Sequence, residues 1–243
     1  MRAACGFDGP AEPARPTREE ETVMGSPYTV GDVMTRTVVS AGRDTPFKTV
    51  VQIMGQWKVS ALPVLEGEGR VVGVVSEADL LPKEEFRDSD PDRFTQLRRL
   101  PDLAKAGGIT AADVMTAPAV TVRADATLAE AARLMALHRV KRLPVVDDQG
   151  MLEGLISRSD LLKVFLRPDE EIADEVRREI VARLFPPPSG PVHVEVRDGV
   201  VTLSGHIRDT SLVPVAARLV RAVEGVVDVE CALTSAALTD RTA

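Results

Sequence analysis

One stretch of this sequence occurs twice, 81 positions apart, with no insertion or deletion between the copies. A register held through a whole run of motifs indicates two copies of one supersecondary unit, which pack against each other around a pseudo-twofold axis. Any ligand site on one copy therefore has a counterpart on the other. The repeated motifs are Asp32-Val33-Met34-Thr35 and Asp113-Val114-Met115-Thr116; Leu62-Pro63-Val64 and Leu143-Pro144-Val145; Gly73-Val74-Val75-Ser76 and Gly154-Leu155-Ile156-Ser157; Asp79-Leu80-Leu81 and Asp160-Leu161-Leu162.

Composition and charge exclude several classes of protein. The 243 residues carry a net charge of −7 and no basic stripe, which argues against a nucleic-acid surface. No stretch approaches the ~18 apolar residues of a membrane span, and the first residues are not the apolar segment of a signal peptide. The two cysteines, Cys5 and Cys231, give neither a disulfide framework nor a metal site. We expect a cytoplasmic protein without a metal ion.

Changes in composition divide the chain into six segments. Residues 1–27 are rich in Pro, Gly, Arg and Glu, which predicts a disordered tail. The repeats occupy 28–83 and 109–167, and prolines interrupt the charged linker over 84–108, which we expect to be solvated and partly helical. A third unit occupies 168–235 and is followed by a tail, 236–243.

Hydrophobic periodicity predicts a mixed α/β (α+β) fold. Each repeat is expected to form β-α-β-β-α behind a short helix, which begins at Thr29 or Thr110 with an aspartate three residues on, a capping pattern. The third unit is expected to form α-β-β-α-β with a hairpin at Asp198-Gly199. Strands are expected at 38–40, 61–65, 71–75, 119–121, 142–146, 152–156, 192–196, 201–203 and 227–233; the longer helices at 47–56, 128–137, 169–184 and 211–223.

The doubled motifs resemble a pair of cystathionine-β-synthase (CBS) domains, the arrangement called a Bateman module, over roughly residues 29–167. The third unit resembles a BON domain through Val194-Glu195-Val196-Arg197-Asp198-Gly199 and Gly225-Val226-Val227-Asp228-Val229. The CBS resemblance implies a regulatory module that binds an adenosine-type nucleotide (AMP, ADP, ATP or a related compound), requires no other cofactor and commonly forms disc-like homodimers. The BON resemblance implies association with phospholipid.

Ser76 and Asp79, with their copies Ser157 and Asp160, are the candidate polar groups of two ligand sites. Each pair follows an apolar strand and opens a helix, where a hydroxyl and free N–H groups attract an anion. The CBS resemblance implies that the serine lies near a phosphate, that the aspartate binds ribose, and that adenine lies against first-strand backbone. The alternative is that Ser-x-x-Asp only caps a helix. The first-strand positions are Thr37, Val38 and Val39 in the first copy and Pro118, Ala119 and Val120 in the second.

Lys141 and Arg142 are the candidate phosphate ligands, because the resemblance implies that basic residues in this segment contact nucleotide phosphates. Charge-assisted bonds from Lys and Arg suit phosphate. The first copy has Ser60 and Ala61 at these positions, so we expect unequal sites. The sequence does not assign the two cations to one site, and a solvated basic rim is the alternative.

Two functions remain open from the sequence. In the first, the CBS pair binds the nucleotide and changes shape, and the BON unit passes the change to an unknown protein partner. In the second, the CBS pair only dimerises and the BON unit binds a membrane or envelope partner. We do not expect an enzyme, because no catalytic triad, Walker loop or dinucleotide fingerprint is present. A homodimer is expected, covering helix faces such as that of Phe47, Val50, Val51 and Met54.

Overall fold

The structure, a computed structural model, describes residues 28–87, 99–187 and 191–235. Both predicted tails and part of the linker lie outside the described residues. The first repeat contains α1 (Val30–Val33), β1 (Ala41–Gly42), α2 (Phe47–Trp57), β2 (Ala61–Glu66), β3 (Arg70–Ser76) and α3 (Glu77–Leu80). Helix α4 (Pro82–Glu85) joins the first repeat to the linker, which contributes α5 (Leu100–Gly107). The second repeat contains α6 (Ala111–Val114), α7 (Leu128–Leu137), β4 (Arg142–Val146), β5 (Leu152–Ser157), α8 (Arg158–Leu161) and the 3-10 helix Leu162–Leu166.

Each repeat begins with a short helix, α1 or α6, which we call its lead-in. Each lead-in packs into the core of the other repeat. Val30 and Met34 lie in one core cluster with Leu143 and Ile156, whereas Val114 lies with first-repeat residues. Two antiparallel bridges, Thr35 with Leu155 and Val74 with Thr116, make the same exchange on the backbone. The two repeats are therefore interlocked, because each supplies an element that the other needs.

The predicted first strands at 38–40 and 119–121 are wrong by a few residues. The paired residues are Ala41–Gly42, parallel to β2, and Val122, which makes the matching bridge to Val145. The physical reason is the exchange of lead-ins. The chain is paired with the second repeat at Thr35 and with the first at Ala41, so residues 36–40 cross between the repeats.

The capping pattern and the long repeat helices are confirmed. The Asp32 carboxylate accepts a hydrogen bond of 2.7 Å from the Thr29 backbone, and Asp113 repeats this contact with Thr110.

The expectation that the apolar face of α2 is exposed is partly wrong. Val50 and Met54 are buried in the first-repeat core, because the exchanged helix α6 covers them, while Val51 remains 44% exposed.

The third unit has the predicted α-β-β-α-β order. Its sheet runs β6-β7-β8, with β6 and β7 antiparallel and β7 and β8 parallel. Asp198 and Gly199 form the hairpin turn with φ of 50° and 75°, the positive values that a two-residue turn requires. The elements are α9 (Asp169–Glu175), a π-helical segment (Val176–Val181), α10 (Ala182–Leu184), β6 (Val192–Arg197), β7 (Val200–Ile207), the 3-10 turn Thr210–Leu212, α11 (Val213–Arg221) and β8 (Asp228–Ser235).

Arg167 joins the third unit to the repeats. Its guanidinium donates to the Glu224 carbonyl and to the Glu175 carboxylate, both at 2.7 Å, and lies 5.3 Å from the ring centroid of Tyr28. The Tyr28 backbone donates to the Glu224 carboxylate at 3.0 Å. Burial raises the pKa of Glu224, although the Tyr28 N–H and Arg167 act in the opposite direction. None of the described helices is long and apolar enough to cross a membrane.

Candidate functional site

Seven of the predicted site residues line a single cavity of about 260 Å³ between the repeats. That volume is close to the lower end of ligand pockets, ~300–1,000 Å³. The first repeat supplies the strand-to-helix turn and the second repeat supplies an extended segment and two cations. The exchange of lead-ins explains this mixture, since the bridge from Val74 to Thr116 draws the second repeat's segment alongside β3. The seven residues are Ser76, Asp79, Pro118, Ala119, Val120, Lys141 and Arg142.

Of the other five predicted residues, two lie on the symmetry-related turn and three lie on the segment before β1. Ser157 caps α8, and Asp160 is the third residue of that helix. The bridge from Thr35 to Leu155 brings the segment of Thr37, Val38 and Val39 to this end of β5. The structure thus separates the twelve candidates into an Asp79 site and an Asp160 site, each built from both repeats.

One oxygen of each aspartate makes the helix cap that the alternative interpretation predicts. Asp79 Oδ2 accepts from the Ser76 backbone and hydroxyl at 2.7 and 2.6 Å. Asp160 Oδ2 accepts from the Ser157 backbone and hydroxyl at 2.8 and 2.6 Å. Capping therefore uses one of the two oxygens of each carboxylate. The contacts of the other oxygen, Oδ1, differ between the two sites.

A different lysine neutralises Oδ1 in each site. Lys105 of the linker helix α5 pairs with Asp79 Oδ1, which also accepts from the Thr116 hydroxyl at 3.0 Å. Asp160 Oδ1 pairs with Lys163 at 2.6 Å, three residues along its own helical segment. Burial acts to raise the pKa of Asp160, but bonds from Lys163 and Ser157 outweigh it and lower that pKa below its ordinary value. Asp160 is therefore charged at neutral pH.

The two candidate phosphate ligands lie on the Asp79 side of the module. Lys141 and Arg142 line its cavity together with Arg139, and the Arg142 guanidinium donates to the hydroxyl of Ser60. Ser60 occupies the position in the first repeat that Lys141 occupies in the second. The sequence left this assignment open, and the structure places both cations in the lining of the cavity that contains Asp79.

Two residues that bond Asp79 Oδ1, Thr116 and Lys105, were not predicted from the sequence. Thr116 belongs to the repeated Asp-Val-Met-Thr motif, so its recurrence was a usable signal. Lys105 lies in the linker, outside both repeats, and no periodicity or motif singles it out. Among the described residues, no group of three or more His, Cys, Asp or Glu side chains is arranged to hold a metal ion.

Two wider apolar grooves lie on the helical face, one for each repeat. The first-repeat groove, about 810 Å³, is lined by residues of α2, of α3 and of the segment that follows α3, including Phe47, Val51 and Leu81. The second-repeat groove, about 700 Å³, is lined by the equivalent residues of α7, of α8 and of the 3-10 helix and, in addition, by residues 221–226 of the third unit. The third unit therefore borders only one of these two grooves.

Comparison with known proteins identifies the modules. The CBS domain profile matches residues 30–83 and 111–167, and the BON domain profile matches residues 168–237. The uncharacterized protein MJ1426 of Methanocaldococcus jannaschii is 30% identical over 160 residues, which cover 59% of this chain and 95% of that protein. The chain belongs to the CBS domain family.

The CBS pair also resembles a plant protein of known structure. The chloroplastic CBS domain-containing protein CBSX2 of Arabidopsis thaliana is 31% identical over 159 residues, covering 59% of this chain and 66% of the relative. A crystal structure of CBSX2 in complex with AMP matches with a TM-score of 0.51 and 33% identity, covering 57% of this chain and 97% of that chain. The mixed α+β fold and the tandem CBS pair followed by a BON domain are thereby confirmed.

Proposed function

We propose that this protein is a non-enzymatic regulatory protein whose CBS pair binds an adenosine-type nucleotide (AMP, ADP or ATP) in the Asp79 cavity. One observation carries the proposal. A single cavity brings together a carboxylate, a stretch of extended backbone and two cations, which suit the ribose, the adenine and the phosphates of a nucleotide. The AMP complex of the relative CBSX2 supports the same class of ligand.

Each part of the cavity has one role in this proposal. Asp79 accepts the ribose hydroxyls, and the backbone of residues 118–120 forms hydrogen bonds with the edge of the adenine ring. Lys141 and Arg142 contact phosphate. Arg142 exchanges its neutral partner, the Ser60 hydroxyl, for a charged oxygen, and charge-assisted bonds are roughly twice as strong as neutral ones.

The Asp160 site is proposed as the weaker of the two. The positions equivalent to Lys141 and Arg142 are Ser60 and Ala61, which bring no charge. A nucleotide there keeps its ribose and adenine contacts and loses its phosphate contacts. Adenosine and ATP should therefore differ less at the Asp160 site than at the Asp79 site.

Signalling is proposed to run through a homodimer and the BON domain. Asp160, Lys163 and Arg167 follow one another on the segment that ends the second repeat, and Arg167 binds the BON residues Glu175 and Glu224. A ligand that shifts this segment therefore moves the BON docking contact. The receiver is an unidentified protein partner in the cytoplasm.

An adaptor is the second candidate function. Both Ser-Asp pairs form complete helix caps, a role that accounts for the motif by itself. In this alternative the CBS pair serves only to dimerise, and the BON domain binds phospholipid or an envelope component. Flotation of the protein with phosphatidylglycerol vesicles, in the absence of nucleotide, is the observation that favours the adaptor.

Calorimetric titration of the protein with AMP, ADP, ATP and adenosine tests the nucleotide proposal directly. We expect saturable heat that Asp79→Ala greatly reduces. Thermal shift provides an independent readout, because a ligand at a hundredfold excess over its Kd stabilises the folded state by about 2.7 kcal/mol. Absence of both signals for all four compounds would eliminate the proposal.

A further inference from the structure

Helix α5 of the linker is attached to the first repeat by polar contacts. None of its residues is buried. The Lys83 ammonium donates to the carbonyls of Ala106 and Gly108 at 2.9 and 2.8 Å, which holds the carboxyl end of the helix. Arg99 pairs with Glu85 beside the other end. Its apolar side chains are at most half-buried, so detachment of α5 exposes less hydrophobic surface to water than release of a core helix would.

The third attachment of α5 uses the carboxylate of Asp79. Lys105 bonds both Asp79 Oδ1 and the Thr116 hydroxyl, and the Thr116 hydroxyl in turn donates to Asp79. The ion pair is well shielded, since the side chains of Lys105 and Asp79 are 19% and 12% exposed. The linker thus contacts the residue to which ribose binding is assigned.

Asp79 has no acceptor site left in this arrangement. Its Oδ2 receives two bonds from Ser76, and its Oδ1 receives one from Lys105 and one from Thr116. An ionised carboxylate offers about four lone-pair positions. A ribose hydroxyl can therefore bind Asp79 only after a present donor has left.

Of the residues that donate to Asp79, Ser76 and Thr116 belong to the repeats and Lys105 belongs to the linker. The two bonds from Ser76 belong to the cap of α3, and the Thr116 backbone is held beside β3 by bonds to Val74 at 2.9 and 3.1 Å. Lys105, in contrast, belongs to α5, which has no buried residue.

We propose that Lys105 closes the Asp79 site, and that an adenosine-type ligand engages Asp79 by displacing Lys105 and releasing α5 from the first repeat. This inference rests on the proposed function, since it names the regulation of that same site. The linker becomes an element whose docking reports whether the site is occupied.

The Asp160 site lacks this coupling and provides the internal comparison. Its lysine, Lys163, lies three residues from Asp160 on the same segment and is 54% exposed. Lys163 can rotate into solvent without moving α5. Occupation of the Asp160 site should therefore leave α5 docked.

Lys105→Met tests the proposal, with Lys163→Met as the matched control. Hydrogen exchange of residues 99–107 reports the docking of α5, and calorimetry measures the affinity for adenosine, which has no phosphate to respond to the lost charge. We expect Lys105→Met to speed exchange in α5 without ligand. It should also tighten adenosine binding at the Asp79 site about five- to tenfold, because adenosine no longer has to displace a lysine from Asp79. Adenosine should speed exchange in the wild type, and Lys163→Met should leave α5 unchanged.

Three outcomes overturn the inference while adenosine binding itself is intact. They are weaker binding by Lys105→Met, unchanged exchange in α5 of that variant, and unchanged exchange in the wild type at saturating adenosine. Lys105→Arg, which keeps the charge, should behave like the wild type and shows that the position tolerates substitution. If adenosine binds neither the wild type nor Lys105→Met, the proposed function fails, and the displacement inference fails with it.

Discussion

Gly154 lies directly against the thioether of Met34, so that a Cβ at residue 154 would stand 2.6 Å from the Met34 sulfur. The pseudo-symmetric pair, Gly73 and Met115, repeats the contact at 2.5 Å. In both pairs the methionine belongs to one repeat and the glycine to the other. The recurrence of these motifs therefore has a packing cause in addition to any role in ligand binding.

Gly154→Ala should destabilise the protein by about 1–3 kcal/mol, the usual effect of overpacking a core. The added methyl group must push aside Met34, which is itself buried, or the Thr35 carbonyl at 3.0 Å. Urea denaturation measures the difference. Gly55→Ala is the control, because nothing lies within 4 Å of a Cβ at that exposed position of α2. Equal effects of the two substitutions would disprove the steric explanation.

Asp79→Ala should weaken AMP binding by about 1.5–3 kcal/mol, the scale of a hydrogen bond to a charged group. Asp160→Ala should weaken it less, because Lys141 and Arg142 lie on the Asp79 side. Calorimetry measures affinity, and urea denaturation checks that each variant is folded. Loss of stability in both variants with unchanged affinity would show that the aspartates only cap their helices.

Replacing Lys141 and Arg142 by Ser and Ala, the residues of the first repeat, should weaken ATP binding more than adenosine binding. The loss grows with ligand charge, and the salt dependence of ATP binding should flatten because screening acts on the removed charge pairs. Titrations at two salt concentrations test both effects. Arg123→Ala, which lies outside this cavity, is the control. Equal losses for ATP and adenosine would show that the pair shapes the cavity without contacting phosphate.

Asp160→Asn should lower stability at neutral pH, with an effect that disappears in acid. The pKa of Asp160 is lowered in the folded protein, so its charged form contributes stability above its ordinary pKa of 3.8. That contribution is lost as the pH falls through the lower, folded-state pKa. Urea denaturation of both proteins at pH 7, 5 and 3 should show the gap closing at the lowest pH. A gap that is the same at all three values contradicts the assignment.

A homodimer should form through the first-repeat groove, where Val51 and Leu81 are 44% and 63% exposed. Light scattering at micromolar concentration measures the mass. Val51→Glu should shift the protein towards the monomer, because it places a charge in an apolar interface. Val227→Glu alters a valine of the BON domain that lies outside the groove and is 62% exposed, and it should leave the mass unchanged. A wild-type monomer contradicts the prediction.

Local patterns in the sequence predicted the elements well, since they depend on neighbouring residues. The spacing of Phe47, Val50 and Met54 predicted α2 to within one residue, and Asp198-Gly199 predicted the hairpin. The exchange of lead-ins was not predictable in this way, because the repeat register is the same whichever core a lead-in enters. Lys105 was missed for a related reason. Its contact with Asp79 joins residues outside any shared periodicity, and only the folded chain brings them together.

The exchanged lead-in helices make the single repeat an incomplete folding unit. A fragment that ends in the linker retains α1, whose hydrophobic partners lie in the second repeat, and lacks α6, which fills its own core. Two fragments produced by cleavage between α4 and α5 would each carry what the other is missing. Complementation of the separated halves, with neither half folded alone, is the behaviour that such an intertwined duplication imposes.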